Sequence, residues 1–173
     1  MSELTQTYID YLLRLKESNR AAMAHLKRSL GFTLGGYPRS YPFVEPFVNG
    51  DRPAYDAQRL ALYLTAGLFA MHPNHQTKTT FAAALGQLAA QRSDSIEKRF
   101  IALLSADPET VANYLRQNMA LLASDDLGLN YATLLNDLTE WLNPYRAERH
   151  TAIKQRWARD FYRHYGPTSN HQS

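Results

Sequence analysis

Apolar residues recur at close to helical spacing along most of the chain. Between Leu4 and Leu30 they fall at Tyr8, Leu12, Leu15, Met23, Leu26 and Leu30, which predicts one long amphipathic helix closed by Gly31. Residues 32–50 interrupt the pattern. Gly35, Gly36, Pro38, Pro42, Pro46 and Gly50 predict a loop, with Phe43–Val48 as an extended stretch inside it. Asp51 is expected to cap the next helix, over about residues 53–72, with Pro53 in its first turn. Leu60, Ala61, Leu62, Tyr63, Leu64, Leu68, Phe69 and Met71 leave that helix few polar faces, so it reads as the buried centre of the fold. Pro73 ends it. Five more helices follow: near 79–91, from an Asp94/Glu97 capping box to Ser105, from Asp107-Pro108-Glu109 to about Ala123, from an Asn130 cap to Leu142, and from Arg146 to Tyr165. Pro144 and Gly166-Pro167 mark the last two stops.

No alternating pattern of useful length suggests a sheet. The expected fold is all-α, a compact bundle of about seven to nine helices. It is expected to form one domain over 1–166, divisible into an N-terminal lobe 1–90 and a C-terminal lobe 91–166, with a flexible polar tail at 167–173.

Composition narrows the function. At 173 residues and 45% hydrophobic, the chain can build a real core. It has no cysteine, which excludes disulfides, thiol catalysis and thiolate metal sites and fits a reducing, cytoplasmic location. The N-terminus lacks the basic and apolar regions of a signal peptide. The most apolar run, Leu60 to Met71, falls short of the roughly 20 residues that span a bilayer.

The charge is sorted by region. Arg14, Lys16, Arg20, Lys27 and Arg28 stand against Glu17 alone; Arg146, Arg149, Lys154, Arg156, Arg159 and Arg163 stand against Glu148 and Asp160. Between Asp94 and Glu140 eight acids face three bases, Lys98, Arg99 and Arg116. Segregated positive charge gathers polyanions that an evenly mixed surface would not. On a continuous first helix, Lys16, Arg20 and Lys27 would lie within about 40° of one another, and on the last helix Arg149, Arg156, Arg159 and Arg163 within about 80°. Each terminal helix is therefore expected to bury one side and present a basic ridge. Arg52 and Arg59 stand seven apart, which would project both from one side of the central helix. There an arginine needs solvent, an anion, or a carboxylate such as Asp56. Lys98 and Arg99, with Arg92 upstream, either extend the basic surface or balance Asp94 and Glu97. In the loop, Tyr37, Arg39, Tyr41, Phe43 and Phe47 suit either base stacking or anchoring to the core.

Other chemistry finds little support. The glycines at 31, 35 and 36 precede no Gly-Lys-Ser/Thr, so they make no phosphate loop. His72 and His75 straddle Pro73 with no third ligand, and Asp125-Asp126 reads as a turn. Neither a serine hydrolase motif nor paired catalytic carboxylates can be traced. A binding or scaffold protein without metal or cofactor is expected, not an enzyme.

Several strings point further. Asp51-Arg52 and then Tyr63-Leu64-Thr65-Ala66-Gly67-Leu68-Phe69-Ala70-Met71-His72-Pro73 resemble the CasB family, the small subunit of the type I-E CRISPR surveillance complex Cascade. The resemblance continues through Arg92-Ser93, Glu97-Lys98-Arg99-Phe100-Ile101-Ala102-Leu103-Leu104, Tyr131, Leu134, Leu135, Asp137, Leu138, Trp141 and Trp157-Ala158-Arg159-Asp160-Phe161-Tyr162, with Lys27-Arg28 as an early basic pair. It implies a non-catalytic, all-helical subunit, present in two copies between the large subunit and the backbone subunits on the guide RNA. It also implies that basic residues hold the displaced, single-stranded non-target DNA and so stabilise the R-loop. Carried over onto this chain, the nucleic-acid-binding candidates are Lys27, Arg28, Arg52, Arg59, Arg92, Lys98, Arg99, Arg116 and Arg149. The other reading is a protein scaffold whose basic residues form salt bridges with partner subunits.

Overall fold

The first long helix is in fact two. In the computed structural model, which describes residues 3–166, α1 (Glu3–Ser18) and α2 (Arg20–Arg28) meet at Asn19. Asn19 leaves helical geometry at φ −145° and ψ 87°, and its side chain accepts the Ala22 N–H at 3.0 Å. Asparagine competes for backbone hydrogen bonds inside a helix and serves well as a cap, so it breaks an otherwise continuous apolar pattern. The predicted tail 167–173 lies outside the described residues.

The expected loop also acquires form. A 3₁₀ turn at Ser29–Gly31 closes α2, and two more occupy Pro38–Phe43 and Glu45–Phe47. The expected extended stretch Phe43–Val48 is thus largely helical turn, because Pro42 and Pro46 fix φ near the value a 3₁₀ turn uses. Tyr37, Tyr41, Phe43 and Phe47 pack inward, whereas Phe32 stays exposed. Tyr8 donates from its hydroxyl to the Phe43 carbonyl at 3.1 Å, Tyr41 donates to the Gly35 carbonyl at 2.9 Å, and the Phe47 ring lies 4.8 Å from Tyr8 and 4.6 Å from Tyr11. The contacts with Tyr8 and Tyr11 anchor the segment to α1, and the Tyr41–Gly35 bond braces it internally.

The central helix α3 runs Ala57–Met71 and starts later than expected. Asp56, not Asp51, caps it, accepting the Arg59 N–H at 3.1 Å. Arg52 consequently precedes the helix instead of sharing a face with Arg59. Every residue from Ala61 to Phe69 is buried. Gly67 lets α2 approach closely: a Cβ there would stand 2.5 Å from Leu30 and 3.3 Å from the Leu26 carbonyl.

Five helices complete the described residues. They are α4 (Phe81–Gln91), α5 (Asp94–Leu104), α6 (Val111–Ser124), α7 (Tyr131–Trp141) and α8 (Ala147–Tyr165). Asn130 caps α7 as expected, through the Ala132 and Thr133 N–H groups. The Asp94/Glu97 capping box is not formed: Asp94 lies inside the first turn of α5, after Ser93. Asp107 accepts from the Glu109 and Thr110 N–H groups and so caps a turn ahead of α6 rather than α6 itself. Gly166, at φ 91°, ends α8. Packing falls around two helices. α3 meets α1, α2, α6 and α7, while α4 meets α5, α6 and, most extensively, α8.

The described residues contain no strand and no helix long and apolar enough to cross a membrane. One isolated bridge joins the α3–α4 and α6–α7 connectors, with Gln76 donating to the Leu129 carbonyl at 2.9 Å and Leu129 to Asn74 at 3.1 Å. Beside it, the His75 Nδ1 accepts the Tyr131 N–H at 3.2 Å, which requires a neutral ring. Burial lowers the His75 pKa below its ordinary 6.5, against an opposing backbone contact with Leu129. The unfolded chain then holds more protons in that interval, so stability is lost as pH falls from about 6.5 through the folded value. In His75→Asn, Oδ1 can replace Nδ1 as the acceptor without titrating. A shallower fall in melting temperature between pH 7 and 5 is expected for the variant, and parallel profiles would contradict it.

Candidate nucleic-acid interface

The nine candidate cations divide by what they touch inside the chain. Arg52 pairs with Asp56 at 3.1 Å and also donates through Nε to the Asn49 carbonyl. Arg59 donates to Glu45 Oε2 at 2.7 Å, and its guanidinium lies 5.4 Å from the centre of the Tyr63 ring. Tyr63 donates to the other oxygen of the same carboxylate, and burial, followed by that hydrogen bond, raises its hydroxyl pKa strongly. Arg59 is thus a clasp between α3 and the 3₁₀ segment. Arg92, at the end of α4, pairs with Asp125 beyond α6.

Lys27, Arg28, Lys98, Arg99, Arg116 and Arg149 are exposed, and among the described residues none of them lies within 4.0 Å of a carboxylate oxygen. Arg28 gives one N–H to the Tyr37 hydroxyl at 3.3 Å, and Arg116 donates Nη1 to the Leu30 carbonyl at 3.0 Å. Both keep further donors for an anion, since a guanidinium carries five.

Contacts across α6 bring most of these groups onto neighbouring elements. Arg116 reaches the turn that follows Lys27 and Arg28. Two residues later, Asn118 reaches the Arg99 carbonyl on α5 at 3.5 Å. The end of α2, then α6, then α5 therefore succeed one another, carrying Lys27, Arg28, Arg116, Lys98 and Arg99. Arg149 stands apart. It lines a groove of about 580 Å³ among α1, α3, α7 and α8, together with Arg156, Asp137 and Glu140.

The two expected ridges are changed accordingly. The break at Asn19 divides Lys16 from Arg20 and Lys27, so the first ridge is not one helix face. On α8, Arg156 turns to the buried Asp137, donating at 2.6 Å, and Trp157 Nε1 donates to the other carboxylate oxygen at 2.7 Å. Arg149, Arg159 and Arg163 remain exposed.

Three features escaped the sequence. Asp137 is buried, which raises its pKa against the hydrogen bonds from Trp157 and Arg156. Tyr55 and Tyr145 are 80% and 91% exposed. Each stands just after a proline in a connector, Pro53 or Pro144, and belongs to no helical apolar stripe, which is the signal that could have singled them out. The two histidines take structural contacts: His72 Nε2 bonds to the Leu127 carbonyl at 2.6 Å, and His75 serves Tyr131.

Fold and surface are those of an all-helical protein that presents cations on adjoining helices. Residues 22–162 match the family described as CRISPR-associated protein Cse2. A CRISPR-associated protein Cse2 of Thermus thermophilus is 44% identical over 161 residues, which is 91% of this chain and 89% of that protein. The chain belongs to the Cse2 family, in agreement with the resemblance read from its strings. The crystal structure of a Cse2-family protein of Thermus thermophilus superposes with a TM-score of 0.80 at 43% identity, covering 94% of this chain and 99% of that one. The crystal structure of M. ruber CasB gives 0.72 at 30%, covering 94% of each. A chain of a solved CRISPR RNA-guided surveillance complex shares the fold, with a TM-score of 0.77 at 23% identity over 94% of each chain.

Proposed function

We propose that this chain is a non-catalytic subunit of a CRISPR RNA-guided surveillance complex, and that it holds the backbone of the displaced single strand. Family membership supports the first part, together with the fold it shares with a chain of such a complex. The observation that carries the second is the succession of exposed cations Lys27, Arg28, Arg116, Lys98 and Arg99 on adjoining elements. Exchanging a DNA duplex for an RNA–DNA heteroduplex is nearly balanced in energy, so contacts that trap the displaced strand can tip it. Such trapping needs positive charge but no base reading.

Arg52, Arg59 and Arg92 belong to this account as internal braces, because each already has a carboxylate partner. Arg59→Ala is expected to lower stability by about 1–3 kcal/mol, since it strips Glu45 of a charged donor. Urea denaturation measures that loss.

The proposal is tested by nuclease protection of the displaced strand in the assembled complex on a target duplex. Lys98→Ala with Arg99→Ala should expose the strand while Arg59→Ala leaves it protected. Protection lost with Arg59→Ala and kept in the double variant would refute this assignment. If the arginines instead bridge partner subunits, the double variant fails to co-purify.

A further inference from the structure

A second groove, of about 1040 Å³, adjoins the cation succession at Leu30 and Arg116. The connector before α3, the turn ahead of α6 and the Pro144-Tyr145 turn form its walls, and Leu60, Leu64 and Ala112 belong to its apolar lining. Phe32, Tyr55 and Tyr145 stand at its margin, 49%, 80% and 91% exposed. Among the described residues only Ile101 joins them as a large exposed apolar side chain. Side chains of this kind anchor protein interfaces, because a rigid ring brings much area for little lost freedom.

Charge selects the occupant. Asp56, Asp107 and Glu109 line the groove against one guanidinium, that of Arg116. Arg52 neutralises Asp56, but Asp107 and Glu109 have no cation within 4.0 Å among the described residues. With Asp56 neutralised, Asp107 and Glu109 still outnumber Arg116, so the lining is net negative and favours a cationic partner over a phosphate chain. It suits an apolar stripe flanked by lysine or arginine, the pattern of an amphipathic helix laid in a groove.

We propose that this groove seats a basic amphipathic helix from another protein subunit of the surveillance complex. The inference rests on the proposed membership of that complex, and not on the holding of the displaced strand.

The test places the photoreactive residue p-benzoylphenylalanine at Tyr145, which is nearly fully exposed. The assembled complex is irradiated and the adducts are sequenced by mass spectrometry. An adduct with a lysine- or arginine-bearing segment of a different protein subunit is expected, and Glu109→Lys should reduce its yield about tenfold, the scale of an interface anchor. An adduct with nucleic acid, an adduct with a second copy of this chain, or no adduct would each overturn the proposal. If the chain is absent from the purified complex, membership and groove fail together. If it is present without the adduct, only the groove proposal fails.

Discussion

Gly86→Val is expected to lower the unfolding free energy by about 3 kcal/mol or more, the upper range for overpacking a tight site. A Cβ at Gly86 would overlap the Phe161 carbonyl oxygen and lie 3.1 Å from its carbon and 3.1 Å from the His164 Cβ. Two of those atoms are backbone of α8, so no side-chain rotation relieves the clash. The helices must separate, and the α4–α8 contact is the most extensive between any two elements. Separation would also loosen the Phe100–Phe161 stack, whose rings lie 4.2 Å apart and 7° from parallel. Gly86→Ala meets the same obstacle and should be severely destabilised too. By contrast, Gly67→Ala chiefly meets the flexible end of Leu30 and should be milder. Urea midpoints order the three, and a Gly86→Val midpoint equal to wild type would show that the helices do not approach this closely.

Asp137→Ala is expected to cost about 3 kcal/mol, mainly through a stranded donor. Trp157 is buried and loses the acceptor for its Nε1–H, while Arg156, 42% exposed at its side chain, can turn to water. Leaving a buried donor unpaired costs roughly 1–3 kcal/mol, and the lost charge-assisted bond and the cavity add to it. Asp137→Asn retains an acceptor for Trp157 and should be much less damaging. The pH dependence separates the two effects. Burial raises the folded pKa of Asp137, so between the unfolded value and that higher one the folded chain binds more protons. Its contribution to stability is therefore fullest below the unfolded pKa and declines as pH rises through the folded one. Asp137→Asn should abolish that decline in acidic denaturation series, whereas an unchanged profile would mean that the carboxyl is not buried as described.

Much of the fold was legible because helical periodicity is a property of the apolar residues themselves. The buried α3, the Asn130 cap and the stops near Pro144 and Gly166 all followed from residue type and spacing. Boundaries were less legible. Asn19 sat within an unbroken apolar pattern, Asp56 competed with Asp51 for the start of α3, and Asp107 caps a separate turn that precedes α6. The cation surface was legible only as charge. Nothing local says that Arg59 meets Glu45 fourteen residues away, or that Arg92 meets Asp125 across α6. The acids nearest to Lys98 and Arg99 in sequence do not pair with them, and spacing alone does not reveal this. Asp137 looked like one more acid in an acidic region until α8 brought Trp157 and Arg156 against it.

The most direct measurement is the affinity of the purified chain for a single-stranded DNA as a function of salt. Each phosphate contact contributes about 0.7 to the slope of log affinity against log salt for a single strand. Lys98→Ala with Arg99→Ala should therefore reduce the slope by about 1.4, with Arg59→Ala leaving it unchanged. An unchanged slope in the double variant, or a fall confined to Arg59→Ala, would contradict the assignment of the free cations on α5 to the strand.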